Sequence, residues 1–87
     1  MSYRKYIGNA TAECRMWIGG VEWLVEAEFD ADESDLRIHN TYLVGWYNND
    51  ALTKIDPIPA NWTDWSDYNQ DQLESAIELW LQEFGYE

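Results

Sequence analysis

The chain reads as an α+β fold: a three-stranded antiparallel sheet, four-stranded if residues 51–56 add a strand, with a C-terminal amphipathic helix packed on one face. Three observations predict it. Two runs of alternating apolar and polar residues flank Gly19-Gly20, a third such run follows an acidic turn, and the C-terminal part switches to helical spacing. With 87 residues the chain is expected to form one domain, 1–87. Acidic chains are often disordered, but disordered chains lack aromatics, and this one has six Trp, six Tyr and two Phe. A domain this small buries a modest fraction of its surface, so its stability depends on large aromatics in the core or on a second copy of itself.

The hairpin, residues 10–29, is the clearest element. Ala12, Cys14, Met16 and Ile18 alternate with Thr11, Glu13, Arg15 and Trp17; after the glycines, Val21, Trp23, Val25, Ala27 and Phe29 alternate with Glu22, Leu24, Glu26 and Glu28. Glycine supplies the positive φ of a two-residue hairpin turn, and that turn sets the register. Ile18 then faces Val21, Met16 faces Trp23, Cys14 faces Val25 and Ala12 faces Ala27 on an apolar face. On the other face Trp17 meets Glu22, Arg15 meets Leu24, Thr11 meets Glu28, and Glu13 lies opposite Glu26. Like charges directly opposite are destabilising, so that pair is either well solvated or kept for use.

A third strand is expected over residues 36–47. Leu36, Ile38, Tyr42, Val44 and Trp46 share one parity, and Arg37, His39, Thr41, Leu43 and Tyr47 the other. Asn40 interrupts the apolar parity, which marks a bulge or an exposed end. Asn48-Asn49-Asp50 closes the strand, residues 51–56 fit either a strand or a helical turn, and Pro57 and Pro59 impose extended backbone. The Pro/Trp loop spans 56–69 and holds Trp62, Trp65 and Tyr68 beside Asp64 and Asp67. Its aromatics either fold back over a small core or form an interface patch, since Trp and Tyr are the usual anchors of protein interfaces. The helix spans 70–84, with Asn69 as cap, Gln72 completing a capping box and Asp71 in the first turn. Leu73, Ala76, Ile77, Trp80, Leu81 and Phe84 make its apolar stripe and Gly85 its stop; Asp71, Glu74, Glu78 and Gln82 line the opposite side.

Charge carries the functional signal. The chain has 17 acidic residues against 5 basic ones, a formal charge of −12. Solubility requires less than that, and like charges on a compact body oppose folding. Beyond Lys54 there is no lysine or arginine at all, and the helix stripe sets Glu74 above Glu78 where exposed helices usually alternate acid with base. The densest cluster lies upstream: Glu22, Glu26, Glu28, Asp30, Asp32, Glu33 and Asp35 occur without an intervening base. Along one face of a strand, side chains recur every ~6.6 Å, comparable to the separation of successive phosphates on a nucleic-acid strand. A sheet face, an acidic turn and a helix stripe can therefore imitate a phosphate track with a geometry already ordered by folding.

Other chemistry is poorly represented. There is no Cys/His ligand cluster, no Gly-rich phosphate loop and no serine elbow. Asp67, Asn69, Asp71 and Glu78 match part of a calcium loop, but Gln72 stands where glycine is needed and the helix runs through it. Asp30 to Asp35 starts a similar pattern that Thr41 fails to complete, so a solvated acidic turn is expected. His39 is expected to be a strand residue and Cys14 an inert core residue. No catalytic residue, no metal and no cofactor are expected. A single cysteine points to a reducing compartment, no apolar run approaches the ~20 residues of a membrane helix, and MSYRKYIGNA lacks a signal-peptide core, so the cytoplasm is the expected location.

In size, net charge, aromatic content and hairpin-plus-helix layout the whole chain resembles small acidic DNA-mimic and inhibitor proteins, many of them phage-encoded. Anti-restriction, anti-CRISPR and nuclease-inhibitor proteins make up that class. The resemblance implies a non-enzymatic inhibitor acting in the host cytoplasm on a basic partner, a nucleic-acid-binding enzyme such as a nuclease or a CRISPR or restriction effector, with no direct binding of nucleic acid. The candidate acidic surface is Glu13, Glu22, Glu26, Glu28, Asp30, Asp32, Glu33 and Asp35 on the sheet side, and Asp71, Glu74 and Glu78 on the helix. Trp62, Trp65 and Tyr68 are the candidate aromatic anchors. The alternative is an assembly module, an obligate homodimer or accessory subunit, whose acidity is incidental.

Overall fold

A computed structural model describes residues 8–32 and 35–84, which form a four-stranded antiparallel meander followed by one helix, an α+β fold. The strands are β1 (Gly8–Ile18), β2 (Val21–Ala31), β3 (Leu36–Asn48) and β4 (Ala51–Ala60), adjacent in chain order. A short 3₁₀ turn, Trp62–Asp64, leads to α1 (Asp67–Phe84). No helix among the described residues is long and apolar enough to cross a membrane.

The β1–β2 hairpin follows its predicted register, from Ile18 opposite Val21 through Glu13 opposite Glu26 to Thr11 opposite Glu28. Gly19 and Gly20 both have positive φ, 61° and 83°, as the tight turn requires. Asn49 and Asp50, at φ 49° and 71°, make the same kind of turn between β3 and β4. Asparagine and aspartate tolerate that conformation better than other side-chain-bearing residues do.

The single parity expected along β3 is corrected. The strand has 13 residues against 11 in β2, a surplus of two (13 − 11). The two register shifts absorb that surplus as bulges at His39 and Val44. Each bulge flips the facing of the residues that follow. Leu36 and Ile38 share the apolar face of β2 as predicted, but beyond His39 it is Thr41 and Leu43 that do so, and beyond Val44 it is Trp46. Tyr42 is thereby turned to the opposite face. Thr41, now inside, is buried and donates its hydroxyl proton to the Ala60 carbonyl, which satisfies the polar group.

Residues 51–56, open between strand and helix in the sequence, belong to β4, which also takes in Pro57 and Pro59. An edge strand tolerates proline because half its amides face no partner. The Pro/Trp loop is accordingly shorter than 56–69. The helix begins earlier than residue 70, and its cap is Ser66: Ser66 Oγ accepts from the Asn69 amide at 3.3 Å. Asn69 and Gln72 therefore form no capping box. Gln72 sits a turn further in, its amide nitrogen buried without a hydrogen-bond partner among the described residues. The predicted stop, Gly85, and the side chain of Phe84 lie outside the described residues.

The core lies between α1 and the β1–β2 half of the sheet. Ala12, Cys14, Met16, Val25, Ala27, Phe29 and Ala31 meet Leu73, Ile77 and Leu81, all buried, while Ala76 and Trp80 pack at its margin. The Trp80 ring meets Phe29 edge-on at 5.7 Å and 85°. Alanines at three sheet positions let the larger helix side chains seat against the strands. Burial, and secondarily the charge of Glu13, pushes the Cys14 thiol up to about 11, so it stays protonated and inert.

Candidate binding surface

With α1 on one face, no described element covers the other, open face of the sheet, and registers across the four strands order its side chains into rows. At the hairpin-turn end lie Trp17, Glu22, Tyr47 and Leu52; then Arg15, Leu24, Gly45 and Lys54; then Glu13, Glu26, Tyr42 and Pro59; then Thr11, Glu28 and Asn40; finally Asn9, Asp30 and Arg37. Alternation in β1 and β2 places the glutamates here, and the bulge at His39 adds Tyr42.

The face is not uniformly anionic, because its two arginines lean to its two ends. Arg15 donates to both Glu22 oxygens, at 2.7 and 3.1 Å, pairs with Asp50, and lies 3.9 Å above the Tyr47 ring. These hydrogen bonds, Glu22's first, raise the guanidinium's pKa further above its usual value. At the far end Arg37 lies 2.7 Å from Asp35 and 3.8 Å from Asp32, and the hydrogen bond it donates to Asp35 likewise holds it in its charged form. Asp32 and Asp35 also cap backbone amides of their turn: Asp32 Oδ1 accepts from Asp35 N at 2.8 Å, and Asp35 Oδ1 from Leu36 N at 3.0 Å. His39 Nε2 approaches Asp30 at 3.5 Å. Five of the predicted sheet-side carboxylates, Glu22, Asp30, Asp32, Asp35 and Glu28, thus have structural partners among the described residues. For Glu28 these are neutral: Asn40 Nδ2 at 3.1 Å and the Tyr42 hydroxyl at 3.4 Å.

Between the arginines, no ion pair among the described residues reaches Glu13, Glu26 or Glu28. Tyr42 registers the resulting field: the charge of Glu28 foremost, then burial, raises its hydroxyl pKa above the usual value. A shallow hollow of about 370 Å³, lined by Asn9, Thr11, Glu28, His39 and Asn40 among others, opens beside this patch.

Asp71, Glu74 and Glu78 line the side of α1 turned away from the sheet, with Leu79 standing 62% exposed among them. The structure therefore separates the two predicted acidic surfaces onto opposite sides of a two-layer molecule. The aromatic loop is divided as well. Trp62 and Trp65 are partly buried and pack against the core, whereas Tyr68, on the first turn of α1, is exposed. Gln70 Nε2 ties the loop down by donating to the carbonyls of Trp65 (2.8 Å) and Thr63 (3.2 Å). Trp17, on the open face, is the largely exposed tryptophan at 58%.

Glu33 lies outside the described residues. The residues missed by sequence reasoning are Trp17, Tyr42 and Tyr47, whose rings lie on the open face. The one signal for Tyr42 was the break in alternation at Asn40. Among the described residues no three His, Cys, Asp or Glu side chains are grouped to hold a metal ion; the calcium-like stretch from Asp67 to Glu78 is continuous helix, and the one from Asp30 to Asp35 lies partly outside the described residues. No family model, no curated protein and no solved structure matches the chain.

Proposed function

We propose that this is a non-enzymatic acidic binding protein that blocks a nucleic-acid-binding protein, a nuclease or a CRISPR or restriction effector, by offering fixed, phosphate-like charge to its basic groove. The observation that carries this reading is the centre of the open sheet face. There Glu13, Glu26 and Glu28 stand on hydrogen-bonded strands, and no ion pair among the described residues reaches them. Carboxylates on such a scaffold lose less conformational freedom on binding than those of a flexible polyacid. Their summed field also speeds encounter with a basic partner.

The test begins with capture from a bacterial lysate at low salt and elution on a salt gradient. The captured protein is then assayed for competition between this chain and DNA or RNA. A steep loss of affinity with salt, mutual exclusion with nucleic acid, and loss of binding in Glu26→Lys, Glu28→Lys are expected. Salt-insensitive binding beside bound nucleic acid would refute it. A second reading, an assembly module, draws support from Ile58, 48% exposed on β4; sedimentation of the pure chain as a stable dimer would favour it.

A further inference from the structure

One of the two guanidiniums on the open face, that of Arg15, is held in a manner that indicates what the centre of the face would hold. Arg15 sits between the carboxylates of Glu22 and Asp50 with its cation over the Tyr47 ring. Two rows away the same strands repeat the ingredients: Glu26 beside Tyr42 across the β2–β3 pair, as Glu22 stands beside Tyr47, with Glu13 on the β1 side. No ion pair among the described residues supplies a cation there, since Arg15 leans toward Glu22 and Arg37 toward Asp35. The like-charged pair Glu13–Glu26 is thus left facing across β1 and β2.

We infer that the row Glu13–Glu26–Tyr42, with Glu28 next to it, is the docking position for an arginine side chain of the partner. This deepens the proposed function and rests on it: the occupant is a protein whose groove presents arginine where it would grip phosphate. Charge complementarity demands a cation, and the arrangement prefers arginine to lysine. Carboxylates on neighbouring strands offer paired acceptors to a planar fork, and a flat guanidinium stacks on a tyrosine ring, neither of which a compact ammonium matches. The helix stripe lacks this discrimination. Among the described residues Asp71, Glu74 and Glu78 share their hollow with Ser75, Leu79 and Gln82 and with no aromatic ring, so they supply field rather than a shaped seat.

The test uses the whole chain with octa-arginine and octa-lysine peptides as probes. Amide chemical shifts locate the bound peptide, and titrations at low salt give the affinities. Expected are shifts centred on residues 11–15, 24–28 and 40–43, a preference for octa-arginine of roughly fivefold or more, and a loss of that preference in Glu26→Gln. Glu74→Gln with Glu78→Gln should leave the preference unchanged while weakening both peptides alike. Equal affinity for the two peptides, or shifts centred on α1, overturns the arginine seat and leaves the acidic inhibitor reading standing. Absence of saturable binding by either peptide overturns both. Because Glu26→Gln relieves a repulsion, it is expected to fold, and a thermal melt checks that it does.

Discussion

Neutralising Glu26 should stabilise the fold while weakening its binding. Glu13 and Glu26 are direct cross-strand neighbours on the solvent side of the sheet, and no ion pair among the described residues reaches either carboxylate. Neighbours in that relation have Cβ atoms about 5.5 Å apart, and the charges are taken at that separation. At the dielectric of water the repulsion is then ~0.75 kcal/mol, and screening with a Debye length of about 8 Å lowers it to ~0.4 kcal/mol at physiological salt. For a domain of this size ~0.4 kcal/mol raises Tm by ~2–3 °C, and at ~10 mM salt the gain grows to ~3–5 °C. Relief of the overall net charge would also raise Tm, so the assay is a double-mutant cycle: Glu13→Gln, Glu26→Gln and both together, melted by circular dichroism at two salt concentrations. The second substitution should add less than the first, by ~0.4 kcal/mol, and the shortfall should shrink as salt is raised. Strictly additive gains would mean that the pair does not interact, and a fall in Tm at low salt would show that these carboxylates stabilise the sheet. Either result refutes the idea that their proximity is a cost retained for binding.

Gly45→Ala should destabilise by ~1–3 kcal/mol in urea denaturation, since an added Cβ would stand 2.8 Å from Leu52 Cδ1 and 3.0 Å from the Thr53 carbonyl oxygen, next to the bulge at Val44. Gln72→Met should stabilise by ~1 kcal/mol in the same assay, because it replaces a buried amide nitrogen that has no partner among the described residues with an apolar group of similar length. The Cys14 thiol is raised from 9.0 to about 11 in the folded state, so the folded chain holds this proton more tightly than the unfolded chain. Below pH 9 both states are protonated and the group adds no pH dependence; as pH rises from 9 toward about 11 the unfolded state releases the proton first and stability falls. Urea midpoints should therefore drop more between pH 8.5 and 10.5 in the wild type than in Cys14→Ala, and equal drops would remove Cys14 as the cause.

What was legible in the sequence was what short-range rules decide. Gly-Gly between two alternating runs specifies one turn geometry, and with it every pair of the β1–β2 hairpin down to Glu13 opposite Glu26. Leu73, Ile77 and Leu81 recur at the helical period, and they are the buried side of α1. Elements whose form depends on a partner were less legible. Prolines at 57 and 59 speak against an ordinary strand, and only the place of β4 at the edge of the sheet, beside β3, makes them acceptable. Asn69 and Ser66 are both competent caps, and the choice of Ser66 goes with Gln70 being drawn back onto Trp65 and Thr63. The two surplus residues of β3 become bulges only because β2 has none to match them.

The same division holds for the candidate surface. Sequence by itself determined the amount of charge, its absence of basic neighbours beyond Lys54, and the alternation that puts Glu13, Glu22, Glu26 and Glu28 on one side of a hairpin. These follow from composition and from the two-residue period of a strand. Tertiary structure decided which of those carboxylates are left without a cation. Arg15 and Arg37 reach Asp50 and Asp32 as well as neighbouring residues, and Tyr42 joins the glutamates through a bulge. Pairing across strands and the reach of long side chains set those contacts, and neither has a period that can be read along a single chain.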